Sequence, residues 1–236
     1  MSVARRLAAK PTLLKDGLWP SDGLVFDRTC TLCPRLAEFL EAGRQEHPDY
    51  YCAPVAPFGD PQARLLIVGL APGFHGANAS GRPFTGDHAG LLLYRTLHRF
   101  GFASAPESTS RTDGLTLIDC RISNSVKCVP PENKPTPAEI RTCNRYLTAE
   151  LRLAYQATVL LALGSIAHNA TLRALALKPG LYPFGHGAEH RLPTGHVLID
   201  SYHCSRYNTQ TGRLTETMFV EVFARARALV RKGGND

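Results

Sequence analysis

The sequence predicts a single α/β domain built on a parallel sheet, and three observations carry that reading. Short apolar strand candidates recur at 64–70, 122–126, 158–164 and 197–202. Helical patterns separate them, and alternation of strands with helices favours parallel pairing. Finally, the strands leave through small or kinked residues: 69–73, 128–131, Gly164, and Tyr202-His203-Cys204-Ser205. In a parallel sheet these exits share one edge, where ligands bind in open α/β folds. Loops far apart in sequence can therefore build one site.

Residues 1–27 read as a basic arm, with Arg5, Arg6, Lys10 and Lys15 and an early turn at Trp19-Pro20-Ser21-Asp22-Gly23. The domain proper is expected over 28–232. Thr29 is placed to cap a helix over about 32–43, with Leu36, Phe39 and Leu40 on one face. Residues 48–62 hold four prolines and read as loop. The strand at 64–70 lacks polar alternation, which suits a sheet covered on both faces. Asp87 is placed to cap a helix carrying Leu91, Leu92, Leu97 and Phe100 and ending near Gly101. Residues 106–114 form a polar loop, and the second strand centres on 122–126. Four prolines in 129–137 exclude regular structure there. Thr136 or Pro137 starts a helix to about Tyr155. A third strand, TVLLALG (158–164), leads into a helix over 165–175. After the fourth strand, an amphipathic helix over 215–231 closes the chain.

The 236 residues carry a formal charge of +7, which favours polyanionic partners. No apolar run approaches the ~20 residues that span a bilayer, and no secretory segment follows Met1. The expected setting is cytoplasmic and nucleoid-associated, without a membrane partner. Seven cysteines in such a chain read better as metal ligands than as a disulfide framework. Cys30 and Cys33 form a CxxC pair, Cys128 follows a strand, and Cys143 lies in the next helix. Four thiolates suit zinc or an iron–sulfur cluster, and spacing does not choose between them. Cys52, Cys120 and Cys204 stand alone. The glycine-rich loop at 69–81 lacks GxxxxGK[ST] and misses the GxGxxG spacing, which argues against a phosphate-binding module.

Four features together resemble the uracil-DNA glycosylase superfamily, and most closely its type B, family 5, iron–sulfur branch. They are GLAPGFHGANASGRPFTGD (69–87), NSVKCVPPENKPTP (124–137), the four cysteines, and SYHCSRYNTQTGRLT (201–215). The resemblance implies an α/β/α sandwich around a four-stranded parallel sheet. It implies a monofunctional glycosylase that flips uracil, or another deaminated base, out of double- or single-stranded DNA. The N-glycosidic bond is then hydrolysed to leave an abasic site, as in base excision repair. It further implies a structural [4Fe–4S] cluster on Cys30, Cys33, Cys128 and Cys143. A monomer is expected.

The same resemblance distributes roles that the residue chemistry can support. Asp87 and Asn133 would handle the water, and His203 would donate to the departing base. Gly69, Ala71, Gly73, His75, Phe84 and Asn124 would line the base pocket, with Phe84 stacking on the base. An amide at Asn124 can pair with the O4 and N3–H edge of uracil and disfavours cytosine. Many type B enzymes have alanine there, so Asn124 is expected to narrow specificity toward uracil. Ser205 and Asn208 would bind phosphates, and Arg206 and Tyr207 would fill the gap left by the base. Arg82, with Lys127, Lys134 and Arg213, would form a basic rim. At Ala79-Ser80 the chain departs from the Arg-Thr common in this branch. A non-catalytic, metal-stabilised DNA-binding protein is the alternative from another class. A relative that cross-links to DNA through histidine would carry an inserted loop that this sequence lacks.

Overall fold

The computed structural model describes residues 26–154 and 156–232. The basic arm therefore lies outside the described residues except for Phe26 and Asp27, and so does its early turn. The chain runs through α1 (Pro34–Glu46), β1 (Phe58–Gly59), β2 (Leu65–Gly69), α2 (Ala77–Ser80) and α3 (His88–Arg99). It continues through β3 (Cys120–Asn124), α4 (Pro137–Leu153), β4 (Val159–Leu163), α5 (Ser165–Ala174), β5 (Glu189–Arg191), β6 (Val197–Ser201), α6 (Arg206–Gln210) and α7 (Glu216–Lys232).

The sheet order is β1-β3-β2-β4-β6-β5. Its central four strands are parallel, and β1 and β5 add antiparallel edges. The expected four-stranded sheet is thus the core of a six-stranded one. The two edge strands are only 2 and 3 residues long, too short for a periodic signal. β2, β3 and β4 are buried along their whole length. The reason is visible in the alternation. Leu65, Ile67 and Leu161 face a cluster with α3 and α7, including Leu93, Leu97, Phe219 and Phe223. Leu66, Val68 and Leu160 face α1, α4 and α5 through Leu36, Leu40, Leu147 and Ala167. Two covered faces make the strands read as continuous apolar runs.

Helix starts follow cap chemistry in three places. The Asp87 carboxylate accepts from the Gly90 N–H at 2.8 Å and opens α3. Thr136 and Glu139 form a capping box at α4. Ser205 caps α6, a helix inside a stretch expected to be loop, whose five residues carry no periodicity. Thr29 corrects one expectation: its hydroxyl bonds Asp27 instead, and α1 begins after Cys33 with no side-chain cap. The second strand also lies earlier than expected. It ends at Asn124, after which Ser125 and Val126 turn their N–H groups to Gly69 and Leu70.

Two cations expected on the DNA-facing rim are buried. Lys127, 1 % exposed, pairs with Glu150 Oε2 at 2.7 Å and also donates to Ser123. Ser123 and Arg121 complete the coordination of that carboxylate. Burial opposes the Glu150 charge, but Lys127 and Arg121 win and hold its pKa below the ordinary value. Arg82, 5 % exposed, donates to Asp113 at 2.7 Å, Ser108 at 2.9 Å and the Arg111 carbonyl at 2.7 Å. Its guanidinium lies 4.4 Å from the centre of the Phe58 ring. Burial also opposes the Asp113 charge, yet Arg82 and three backbone N–H groups hold it well below the carboxylate range. Arg82 therefore anchors the 108–115 loop beneath the sheet edge rather than reaching for phosphate. No described helix is long and apolar enough to cross a membrane.

Candidate active site

One cavity opens at the carboxyl edge of the sheet, and four separate stretches of chain build it. The loop after β2 supplies Leu70, Ala71 and Gly73, and the approach to α3 supplies Phe84, Asp87 and His88. The β3 exit adds Asn124 and Asn133. The β6 exit adds His203, Ser205 and Arg206. All three expected catalytic residues thus face one space, together with Ala71, Gly73, Phe84 and Asn124.

Close backbone approach makes that convergence possible. A Cβ on Gly69 would lie 2.4 Å from Asn124 Oδ1 and 2.7 Å from Phe84 Cζ. Gly69 therefore acts from behind the wall, by leaving room for two lining side chains. A Cβ on Gly76 would lie 2.6 Å from Asp87 Cβ, so glycine there lets the loop close over the aspartate. Phe84 adopts φ 55, unusual for an aromatic residue. Its ring stacks with His203 at 6.1 Å and 28°. Such strain persists only where the surroundings hold it, and it clusters at functional sites.

The polar groups divide by how fully they are satisfied. Asp87 uses Oδ1 as the helix cap, whereas Oδ2 points to the Gly73–Gly76 side of the cavity. Capping therefore occupies one oxygen and leaves the other on the Gly73–Gly76 side. Burial raises the Asp87 pKa, opposed by the Gly90 and Ala89 N–H groups. His203 is pushed down to about 4 by burial, so its imidazole is neutral at pH 7. Asn208 Nδ2 donates to the His203 carbonyl at 2.8 Å and fixes the backbone at the β6 exit. Asn124, 3 % exposed, buries Oδ1 with no hydrogen-bond partner. An orphaned acceptor costs stability, and this one belongs to a residue that lines the cavity. Asn133 is exposed at φ 56, and its N–H turns back to the Pro130 carbonyl.

Several expected residues lie elsewhere. His75 is exposed and bonds the Tyr50 hydroxyl at 3.0 Å, amid the rings of His47 and Phe74. That aromatic contact, outside the cavity lining, replaces its expected place in the base pocket. Tyr207 is 70 % exposed on α6. Asn208 and Arg213 border a neighbouring cavity with Phe184, Tyr202 and His203. The Arg213 guanidinium lies 4.8 Å from the Tyr202 ring centre. Lys134 remains at the surface, paired with Glu132. Ala79 and Ser80 serve the loop itself: the Ala79 carbonyl accepts from Tyr51, and Ser80 Oγ bonds the Thr85 carbonyl. Sequence reasoning missed His88, whose Nε2 lies 3.0 Å from Thr209 Oγ1 and ties α3 to α6. No local signal marked it, because the partner lies 121 residues away.

The four expected ligand cysteines also meet. Cys30, Cys33, Cys128 and Cys143 line one cavity, closed by Leu36, Val126 and Tyr146. All four are free thiols. Burial raises Cys33, Cys128 and Cys143, the last to about 11. Neighbouring sulfurs raise each further. Such thiols stay protonated alone and lose their protons to a metal. The Lys127 N–H already points at Cys143 Sγ from 3.2 Å. Around one zinc ion the sulfurs would sit about 3.8 Å apart. Among the described residues, three thiols are not gathered within 4.8 Å anywhere. Four thiols on one cavity supply the donor chemistry that zinc or an iron–sulfur group takes.

Residues 56–227 match the family model described as the uracil DNA glycosylase superfamily. The chain is 49 % identical over 205 residues to a type-5 uracil-DNA glycosylase of Thermus thermophilus, covering 85 % of this chain and 93 % of that one. It is 43 % identical over 208 residues to a type-5 enzyme of Mycobacterium bovis, covering 85 % and 78 %. A type-4 uracil-DNA glycosylase of Thermotoga maritima is 36 % identical over 110 residues, 46 % of this chain and 49 % of that one. The chain belongs to the uracil DNA glycosylase superfamily and, by the extent of these matches, to its type-5 branch.

Proposed function

We propose that the protein is a monofunctional uracil-DNA glycosylase of base excision repair. The observation that carries this reading is the convergence of Asp87, Asn124, Asn133 and His203 on one cavity beside the Phe84 ring. A base within a duplex is out of reach, so it must rotate into such a cavity. Phe84 offers the flipped base a stacking face. The Asn124 amide offers a donor to uracil O4 and an acceptor to N3–H, which satisfies its orphaned Oδ1.

Bond cleavage then leaves negative charge on the base and positive character on the sugar. His203, neutral at pH 7, donates a hydrogen bond to the base oxygen on which charge accumulates. Asp87 Oδ2 orients a water toward C1′ and offsets the sugar's charge, with Asn133 as a second polar contact to that water. The water's oxygen bonds to C1′ as the bond to the base nitrogen breaks; the water gives up one proton to solvent, and the base anion takes one up from solvent. No lysine attack or strand cleavage is involved. Ser205, Arg206 and Tyr207 on the α6 side hold the backbone and the space left by the base.

Cys30, Cys33, Cys128 and Cys143 would hold a [4Fe–4S] cluster. When bound, it supplies a covalent tie between the start of α1, the β3 exit and α4, with no part in bond cleavage. Iron and acid-labile sulfide bound by the purified chain, together with brown colour, test this assignment. Zinc in colourless protein with no iron-loaded form would overturn it.

A uracil-containing oligonucleotide, incubated with the protein and then treated with alkali, tests the function. Strand scission at uracil is expected. A stable protein–DNA adduct or retardation without scission would contradict it, pointing to a cross-linking relative or a binding module.

A further inference from the structure

We propose that His168, His190 and Asp200 form a binding site for one divalent transition cation of the zinc class, apart from the thiol site. Their ligand atoms all lie within 4.8 Å of one another. They come from α5, β5 and β6, so the geometry is set by tertiary packing rather than by a local motif.

The hydrogen bonds orient the imidazole for ligation. His168 Nε2 lies 2.8 Å from the Tyr182 carbonyl, and a carbonyl can only accept. The N–H of a neutral ring is thereby fixed on Nε2, and the Nδ1 lone pair faces Asp200 Oδ1 at 2.7 Å. At that separation the two acceptors share a proton; a tetrahedral metal bonded to both would hold them about 3.4 Å apart, so a cation takes the proton's place as the pair opens by less than about 1 Å. A ring N–H held by a backbone carbonyl is the usual support of a metal-ligating histidine. The third ligand is also in place. His190 Nε2 is buried without a hydrogen bond, 3.5 Å from Asp200 Oδ2. Asp200 is wholly buried.

Two imidazole nitrogens and one carboxylate are a donor set for zinc and its neighbours, at about 2.0–2.2 Å per bond. Binding displaces the proton between His168 and Asp200 and gives His190 Nε2 a direct bond in place of its long contact with Asp200 Oδ2. A water completes the fourth position. The consequence is local order. Phe184 lies 5.7 Å from the His168 ring and 6.2 Å from the Tyr202 ring, and it borders the cavity that His203 shares. A cation here would pin the 182–190 segment behind that wall.

The full-length purified chain, dialysed against EDTA, is titrated calorimetrically with zinc chloride while its thermal midpoint is followed. We expect a saturable site of about one zinc per chain and a raised midpoint on saturation. His190→Ala, on an edge strand, should keep the zinc-free midpoint and weaken this binding at least about 10-fold. Asp200→Asn should weaken it likewise. Zinc binding by the wild type that neither substitution weakens would overturn the proposal, as would no saturable zinc binding at all.

Discussion

Asn124 and Lys127 stand three residues apart in one segment, yet the fold treats them in opposite ways. Lys127 is enclosed, and its charge is answered by Glu150 and Ser123. Asn124 is equally buried but leaves an acceptor without a partner. The contrast extends across the molecule. On one face of the sheet Lys127-Glu150-Arg121-Ser123 form a closed polar network, and Arg82-Asp113-Ser108 form a second in which Arg82 Nε alone lacks a partner. At its carboxyl edge, Asn124, Asp87 Oδ2 and the neutral His203 remain open. Satisfied buried polar groups hold the fold, and breaking such a network is costly. Unsatisfied ones gathered in a cavity are poised for a ligand. Residue type alone did not separate the two, since Lys127 and Arg82 read in the sequence as members of a basic DNA-binding rim.

Substitutions on either side of this contrast should fail in different assays. The largest effect is expected at Asp87. Asn caps helices as Asp does, so Asp87→Asn should spare the thermal midpoint while single-turnover uracil excision falls about 10²–10⁴-fold. The raised Asp87 pKa also places the acid limb of the wild-type rate above the ordinary carboxylate value of about 4. In the proposed mechanism the ionised form acts, so activity should decline as pH drops through that limb, and the limb should vanish in Asp87→Asn. On the structural side, Glu150→Ala strands Lys127 and Arg121 in the interior. A loss of about 3–5 kcal/mol in denaturant unfolding is expected. An excision rate lowered while stability held would contradict the structural role.

His203→Ala removes a donor at the developing charge, and a loss of about 10²–10³-fold in excision is expected. Its neutral state predicts no rate change attributable to His203 titration between pH 6 and 8, about two units or more above its pKa of about 4. Tyr207→Ala should cost about 1–3 kcal/mol in binding to uracil-containing DNA with little change in stability, as measured by anisotropy and thermal melting.

The fold was legible wherever pattern is long. The fully buried strands gave continuous apolar runs, and Asp87 and Thr136 marked their helices by cap chemistry. The short elements β1, β5, α2 and α6, of two to five residues, carry no period and went unread. The gathering of the strand exits at one edge was legible from topology, whereas the residues assigned there, Asp87, Asn124, Asn133 and His203, came from the family resemblance. Arg82 and His75 were misplaced because their partners, Asp113 and Tyr50, are chosen by loop packing that no local pattern records. His88 was missed for the same reason.

The most direct test of the contrast is Asn124→Ala, read in two assays on the same preparation: excision of uracil against hypoxanthine, and the thermal midpoint. Loss of the amide should lower uracil excision by about 1–3 kcal/mol and narrow its lead over hypoxanthine. The midpoint should hold or rise, because a buried acceptor without a partner is removed. An unchanged excision ratio, or a fall in midpoint large enough to explain the lost activity, would contradict the account.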